Sequence, residues 1–289
     1  MRTWLIGLVV VLVAGPVVEA QAQGRGRGRG GGAPVGTIEM LRPGLYLVPG
    51  GGANSLARVT DEGVILVDSK MPSEENYEGL LAQIRSVTDR PVRSVIVTHH
   101  HADHTGNNAA FLAAGAQVIG HAQLAANLDT YTFEPRPAKP DVTYSDEYTV
   151  RLGGAEVRVL HLGRAHTGGD SVVFFPDLGV VATSDAVMTV APGPLVDYAG
   201  GGSATDWLRV LDAMLALDFQ TAVPGAGTPL TRADVQVFRA QLATVIDRAR
   251  ALVRKGVPAD QLLSQIDTSD IGWSIRVPDV EAFRAELVD

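Results

Sequence analysis

Cysteine is absent from all 289 residues of the chain. Disulfides, lipoprotein attachment, cysteine nucleophiles and thiolate metal ligands are therefore excluded outright. Histidine is restricted in position: there are seven, and none lies beyond His166. An excess of basic charge is missing as well. With a formal net charge of −8, and only three arginines in the segment "GRGRGRGGGAPVG", the chain offers no electrostatic footprint for nucleic acid.

The chain opens with "MRTWLIGLVVVLVAGPVVEAQAQ", in which Arg2 supplies a short basic region, Trp4 to Val18 an apolar stretch, and Ala20-Gln21-Ala22 a small-x-small cleavage site. These features predict a signal peptide over residues 1–22 and a periplasmic or secreted address. Gly15-Pro16 interrupts an apolar stretch already short for a bilayer, so no stable membrane span is expected after cleavage. Residues 23–36 are rich in glycine and arginine and poor in apolar side chains, and are expected as a flexible linker. No second linker divides the rest, so residues 37–289 read as one large domain.

Within that domain short strands alternate with amphipathic helices, which is an α/β pattern. The strand candidates are "GLYLV", "SLARVT", "GVILVDS", "VRSVIVT", "AQVIG", "EVRVLHLG", "SVVFFP", "LGVVATS" and "TAVPG". In "SEENYEGLLAQIRSVTD", Tyr77, Leu80, Leu81, Ile84 and Val87 share one face, which predicts a helix opened at Ser73. Another helix is expected near Asn107 to Ala114. Ser203 with Asp206, and Thr231 with Asp234, predict capping boxes ahead of two more.

Metal-capable side chains recur at the C-terminal ends of these strands, where α/β sheets place their chemistry. In "SVIVTHHHADHTGNN", His99, His101, Asp103 and His104 follow a buried strand; His166 follows "VRVLHLG" and Asp185 follows "VVATS". Residues two apart in an extended segment point to the same side, so His99 and His101 can converge on one ion while His100 points away. Asp103 and His104 come as the chain turns, toward a second ion. An HxH pair joined by a third imidazole from a distant loop, His166, makes the three-nitrogen set of a catalytic zinc, with one position left for water. Such an ion lowers the pKa of its water to about 7 and polarises a carbonyl or phosphoryl oxygen, which suits hydrolysis. An adventitious surface run of histidines would need neither the aspartate at this spacing nor the buried strand before it.

Other candidates carry blander readings. His121 is expected at a helix end or in packing, and His161 in the core or behind the ligands. Asp68 closes a strand and either braces the metal loops or shapes a turn. Arg164 is either an anion-binding group or an exposed structural arginine. Tyr131, Phe133 and Tyr198 are expected to pack rather than to touch substrate. The loops "VPGGGANS" and "APGPLVDYAGGGS" are either mobile segments near the pocket or ordinary turns.

"THHHADHTGNN" resembles the HxHxDH signature of the metallo-β-lactamase superfamily. "GRAHTGGDSVVFFP" is similar to its third-histidine segment, "VVATSDAV" to the strand carrying its bridging aspartate, and "GVILVDS" to its early strand ending in aspartate. The resemblance implies an αβ/βα four-layer sandwich, two sheets face to face with helices outside, built from two similar halves. It also implies that His99, His101 and His166 bind a first zinc, that Asp103 and His104 bind a second, and that Asp185 bridges both. A bridging aspartate is generally lacking in the true β-lactamases and present in the thioesterases, lactonases and phosphodiesterases of this superfamily.

The chain departs from the family at one position. Where a last histidine ligand stands in a "PGHG"-like turn, this chain reads "AVPGAGTPL", with Ala226 in its place. The second site is left with oxygen-rich ligands and should bind zinc more weakly. The expected function is therefore an exported zinc hydrolase acting on a carbonyl or phosphoester group of a small molecule, with Asp103 handling a proton and the second ion weak or absent. The alternatives are an iron-dependent persulfide dioxygenase-like enzyme using His99, His166 and Asp185, or a non-catalytic zinc-binding relative.

Overall fold

The computed structural model describes residues 33–189 and 192–288; the expected signal peptide and residues 23–32 of the expected linker lie outside them. Gly36 N donates to Pro49 O and Gly51 N to Ala33 O, so tethered backbone begins ahead of the expected domain start at Thr37.

The first sheet has seven strands in chain order: β1 (Glu39–Arg42), β2 (Leu45–Val48), β3 (Ser55–Val59), β4 (Val64–Val67), β5 (Val92–Ile96), β6 (Gln117–His121) and β7 (Val142–Tyr144). β1 to β4 form an antiparallel meander, and β4 to β7 run parallel. The parallel crossovers carry α1 (Glu74–Arg85), α2 (Ala102–Thr105) with α3 (Asn108–Ala113), and α4 (Ala122–Thr130). The second sheet is built from β8 (Glu147–Leu152), β9 (Ala155–Leu160), β10 (Val172–Phe175), β11 (Val180–Ser184), β12 (Thr221–Pro224) and β13 (Leu230–Thr231). α5 (Ala204–Leu215) links the parallel pair β11 and β12. α6 (Arg232–Arg254), α7 (Ala259–Gln265) and α8 (Val280–Glu286) follow.

Side-chain alternation turns these sheets into layers. Ile65 and Val67 of β4, Ile96 of β5, Val173 and Phe175 of β10, and Val180 and Ala182 of β11 meet between the sheets. Their neighbours Val64, Leu66 and Val95 face the other way and pack on Leu80 and Ile84 of α1 and Phe111 of α3. Val172, Phe174 and Val181 face Trp207 and Leu211 of α5 and Phe238 and Leu242 of α6. The result is helix, sheet, sheet, helix: the αβ/βα sandwich implied by the resemblance.

Local signals held where they were strongest. Ser73 caps α1 by accepting from Asn76 N, and Thr231 with Asp234 forms a complete capping box on α6. Ser203 accepts from Asp206 N, but its own N–H donates to Ala165 O while Arg164 and Arg209 take the Asp206 carboxylate, so this box is only half made. β8, "EYTVRL", lies on the edge of its sheet with only Val150 buried, and so lacks the apolar run that marks its neighbours.

Among the connections that leave C-terminal strand ends at one rim of the sandwich are those after β4, β5, β9, β11 and β12. Lys70, fully buried just past β4, anchors this rim by donating to Val48 O at 2.5 Å and Ala53 O at 2.6 Å. Lys70→Met leaves both carbonyls without a partner, and urea unfolding should show a loss of about 2–4 kcal/mol relative to the unmodified chain.

Candidate metal centre

β5 ends at Ile96, and residues 99–101 form bends rather than a continuing strand. His99 and His101 converge all the same, because His101 sits in extended conformation at the start of α2 and Thr105 Oγ1 ties down its carbonyl at 2.9 Å. His101 Nδ1 lies 3.1 Å from His99 Nε2 and 2.9 Å from His166 Nε2. Ligand nitrogens about 2.0–2.1 Å from a tetrahedral zinc stand about 3.3 Å apart, so the three form a cradle of the right size.

The protonation states suit that cradle. His99 and His166 are buried, and desolvation together with the neighbouring imidazoles holds both well below the ordinary histidine range, in the neutral form that ligates metal. His166 Nδ1 donates to Leu195 O at 2.7 Å, which leaves the Nε2 lone pair facing inward. His101 Nε2 donates to Asp197 Oδ2 at 3.0 Å, which directs its Nδ1 lone pair to the same point.

A second group adjoins it. His104 Nδ1 donates to Asp68 Oδ2 at 2.7 Å, while its Nε2 is buried with no hydrogen-bond partner. That nitrogen faces Asp103 Oδ2 at 3.5 Å and Asp185 Oδ1 at 3.6 Å, and Asp185 Oδ2 lies 3.8 Å from His166 Nε2. Asp185 therefore stands between the two groups. Desolvation opposes a charge on His104, but Asp103, Asp68 and Asp185 outweigh it and raise its pKa well above the ordinary value. Desolvation pushes the Asp103 carboxyl up, yet His104 and His101 hold it well below the usual carboxylate range. Desolvation raises Asp185, against the pull of His104. The carboxylates favour positive charge at Nε2, either its own proton or a metal cation that takes the proton's place, and the residues fit such a cation.

Ala226 is exposed in the turn that follows β12, and it brings no ligand. Gly225 beside it approaches so closely that a Cβ there would stand 2.0 Å from Asp185 Oδ1. Asn54 clamps this turn, donating through Nδ2 to Pro224 O and Gly227 O, both at 2.9 Å.

The residues with alternative readings also find their places. Asp68 is a brace: besides His104 it accepts from Thr98 N at 2.9 Å and from Thr98 Oγ1. His121 caps α4 and stacks on His161, with ring centroids 3.9 Å apart. Arg164 pairs with Asp206 at 2.8 Å. Tyr131 packs against His100 and His101 and stacks on Phe133, and Tyr198 donates to Glu286.

Two residues escaped sequence reasoning. Asp197 accepts from His101, lies 3.4 Å from His100 Nε2, and accepts from Gly200 N at 3.0 Å. Desolvation would raise its carboxyl, but these bonds hold it well below the usual range. Asn127 donates to Gly200 O at 2.8 Å and lies 3.3 Å from His100 Nδ1, which fixes His100 as a donor toward Asp197. The Gly-rich loop "APGPLVDYAGGGS" was the available signal, and the aspartate inside it was the part that mattered.

The comparisons agree with this geometry. The profile of the metallo-beta-lactamase superfamily matches residues 48–226. The chain is 29% identical over 220 residues to the 2,4-dinitroanisole O-demethylase subunit alpha of Nocardioides sp. (strain JS1661), covering 74% of this chain and 66% of that one. It is 33% identical over 167 residues to metallo-beta-lactamase IND-1 of Chryseobacterium indologenes, covering 57% and 66%. The matches thus span just under two thirds of each relative's length. A solved metallo-beta-lactamase from Pontibacter korlensis superposes with a TM-score of 0.63 at 20% identity, over 72% of this chain and 99% of that one, a likeness of fold. A matching profile across more than half its length, the four-layer fold and the histidine cradle at the expected rim together mean that this chain belongs to the metallo-beta-lactamase superfamily.

Proposed function

We propose that the chain is an exported hydrolase of a small molecule, working on a carbonyl or phosphoester group with zinc held firmly in one position and weakly in a second. The observation that carries this reading is the meeting of His99 Nε2, His101 Nδ1 and His166 Nε2 beside a carboxylate-flanked, orphaned His104 Nε2. His99, His101 and His166 would hold the first ion; Asp103, His104 and Asp185 would hold the second, with no imidazole at position 226. When bound, the metal supplies Lewis acidity toward the substrate oxygen and makes a water more acidic.

The remaining work falls to the chain's own groups. Asp103 is ionised and its side chain is one-third exposed, so its carboxylate can accept a proton from the attacking water and pass it to the leaving group. Asp197 keeps His101 aimed inward, with His100 and Asn127 behind it. Among the described residues no helix is long and apolar enough to cross a membrane. The export part of the reading rests on the N-terminal segment "MRTWLIGLVVVLVAGPVVEAQAQ".

Metal analysis of zinc-supplemented, gel-filtered protein should find one tightly held ion per chain, and Ala226→His should raise the affinity for a second. Two tightly held ions in the unmodified chain, or iron with oxygen uptake, would overturn the reading. On whichever member of a lactam, lactone, thioester and phosphodiester panel is hydrolysed, Asp103→Asn should lower kcat by about 100-fold or more, and a chelator should abolish turnover. Asp197→Asn should weaken zinc binding at the first position by about 10–100-fold, read by competition with a chromogenic chelator.

A further inference from the structure

Arg276 lies beyond the stretch matched by the family profile, on the segment between α7 and α8. Its backbone is bound to the loop that follows Asp185: Arg276 N donates to Pro194 O at 2.7 Å, Val196 N donates to Arg276 O at 2.9 Å, and Leu195 and Arg276 form a parallel bridge. Leu195 O is the acceptor that aims His166. The C-terminal segment is thus one backbone residue removed from a side chain of the histidine cradle.

The side chain of Arg276 turns along the same loop. Nε donates to Gly193 O at 3.0 Å, and Nη2 lies 3.9 Å from the Met188 thioether, a weak acceptor three residues past Asp185. Among the described residues the guanidinium makes no ion pair, although the Asp185 charge acts on it. Arg164, by contrast, is paired with Asp206. Arg276 is half-buried and so partly desolvated, and it keeps most of its five N–H donors in a rigid fork that suits an oxyanion.

We propose that Arg276 binds an oxyanion group of the substrate, so that the preferred substrates of this centre are anionic. This rests on the hydrolase reading of the same centre. The Nε bond to Gly193 O holds the stem, the free edge of the guanidinium receives the anion, and the chemistry proceeds at the neighbouring cradle.

The test uses a matched pair, 4-nitrophenyl hydrogen glutarate and its neutral methyl ester, with zinc-loaded full-length protein. The unmodified chain should favour the anionic ester in kcat/KM by about 10–100-fold at low salt, the size of a charge-assisted hydrogen-bonded pair, and 0.5 M salt should narrow that preference. Arg276→Met should remove the preference and Arg276→Lys should keep part of it. A purely structural role for Arg276 would lower both kcat/KM values together and leave their ratio alone, and that result, or equal rates in the unmodified chain, would overturn the proposal. If neither ester is turned over, the hydrolase reading is what suffers, and calorimetric titration with monomethyl glutarate decides the inference separately: binding that is at least about 10-fold weaker in Arg276→Met supports it, and equal binding ends it. Salt dependence in the unmodified chain keeps the test decisive even if Arg276→Met fails to fold.

Discussion

The buried carboxylate of Asp68 is the contact on which the rest of the centre depends. It is 2% exposed, and its backbone takes a left-handed φ of 61°, a conformation that a non-glycine residue keeps only when its surroundings enforce it. The enforcement is visible: the carboxylate accepts from Thr98 N, Thr98 Oγ1 and His104 Nδ1, and its own N–H donates to Ile96 O. Thr98 Oγ1 is in turn 2.7 Å from Ser184 Oγ, and Ser184 is another left-handed residue, at φ 46°. One acid thereby ties the end of β4 to the end of β5, to α2 and, through Thr98, to the end of β11 in the other sheet. A buried charge is tolerated only when its lone pairs are met, so the same bonds that make Asp68 affordable position His104 and the residue preceding Asp185.

The centre built on this brace is electrostatically lopsided. Two imidazoles of the cradle, His99 and His166, are held neutral by burial and by the repulsion of their neighbours. The adjoining group is acidic, with Asp103, Asp68 and Asp185 around one imidazole. Imidazole nitrogens suit a borderline-soft cation, whereas carboxylate oxygens suit a harder one. Ala226 is exposed on a turn clamped by Asn54, and its methyl group adds no polar atom to this acidic group.

The supports of the centre lie far from it in sequence. His166 is aimed by Leu195, His101 by Asp197, and the loop that holds both is bound from behind by the Arg276 segment. Bonds of this kind fix tautomers as well as positions, since an imidazole that donates from one nitrogen must offer its lone pair from the other. The C-terminal residues therefore contribute to a site whose recognisable motif ends long before them.

Much of the fold was written locally. The short apolar runs in "VRSVIVT" and "LGVVATS", the Ser73 cap and the Thr231–Asp234 box act over a few residues, and each produced the expected element. The dense motif "HHHADH" named its own chemistry for the same reason, as His99 and His101 are neighbours in the chain. The β8 edge strand, the half-made box at Ser203 and the roles of Asp197, Asn127, Leu195 and Arg276 were not legible. Each is defined by a partner brought close only when the sheets stack and the loops at their rim meet. The sequence by itself determined the candidate ligand side chains, the alanine at position 226 and the layered α/β pattern. Only the tertiary structure decided which nitrogen of each histidine faces into the cradle and which backbone carbonyl or carboxylate turns it there, because a hydrogen bond acts over about 3 Å whatever the separation along the chain.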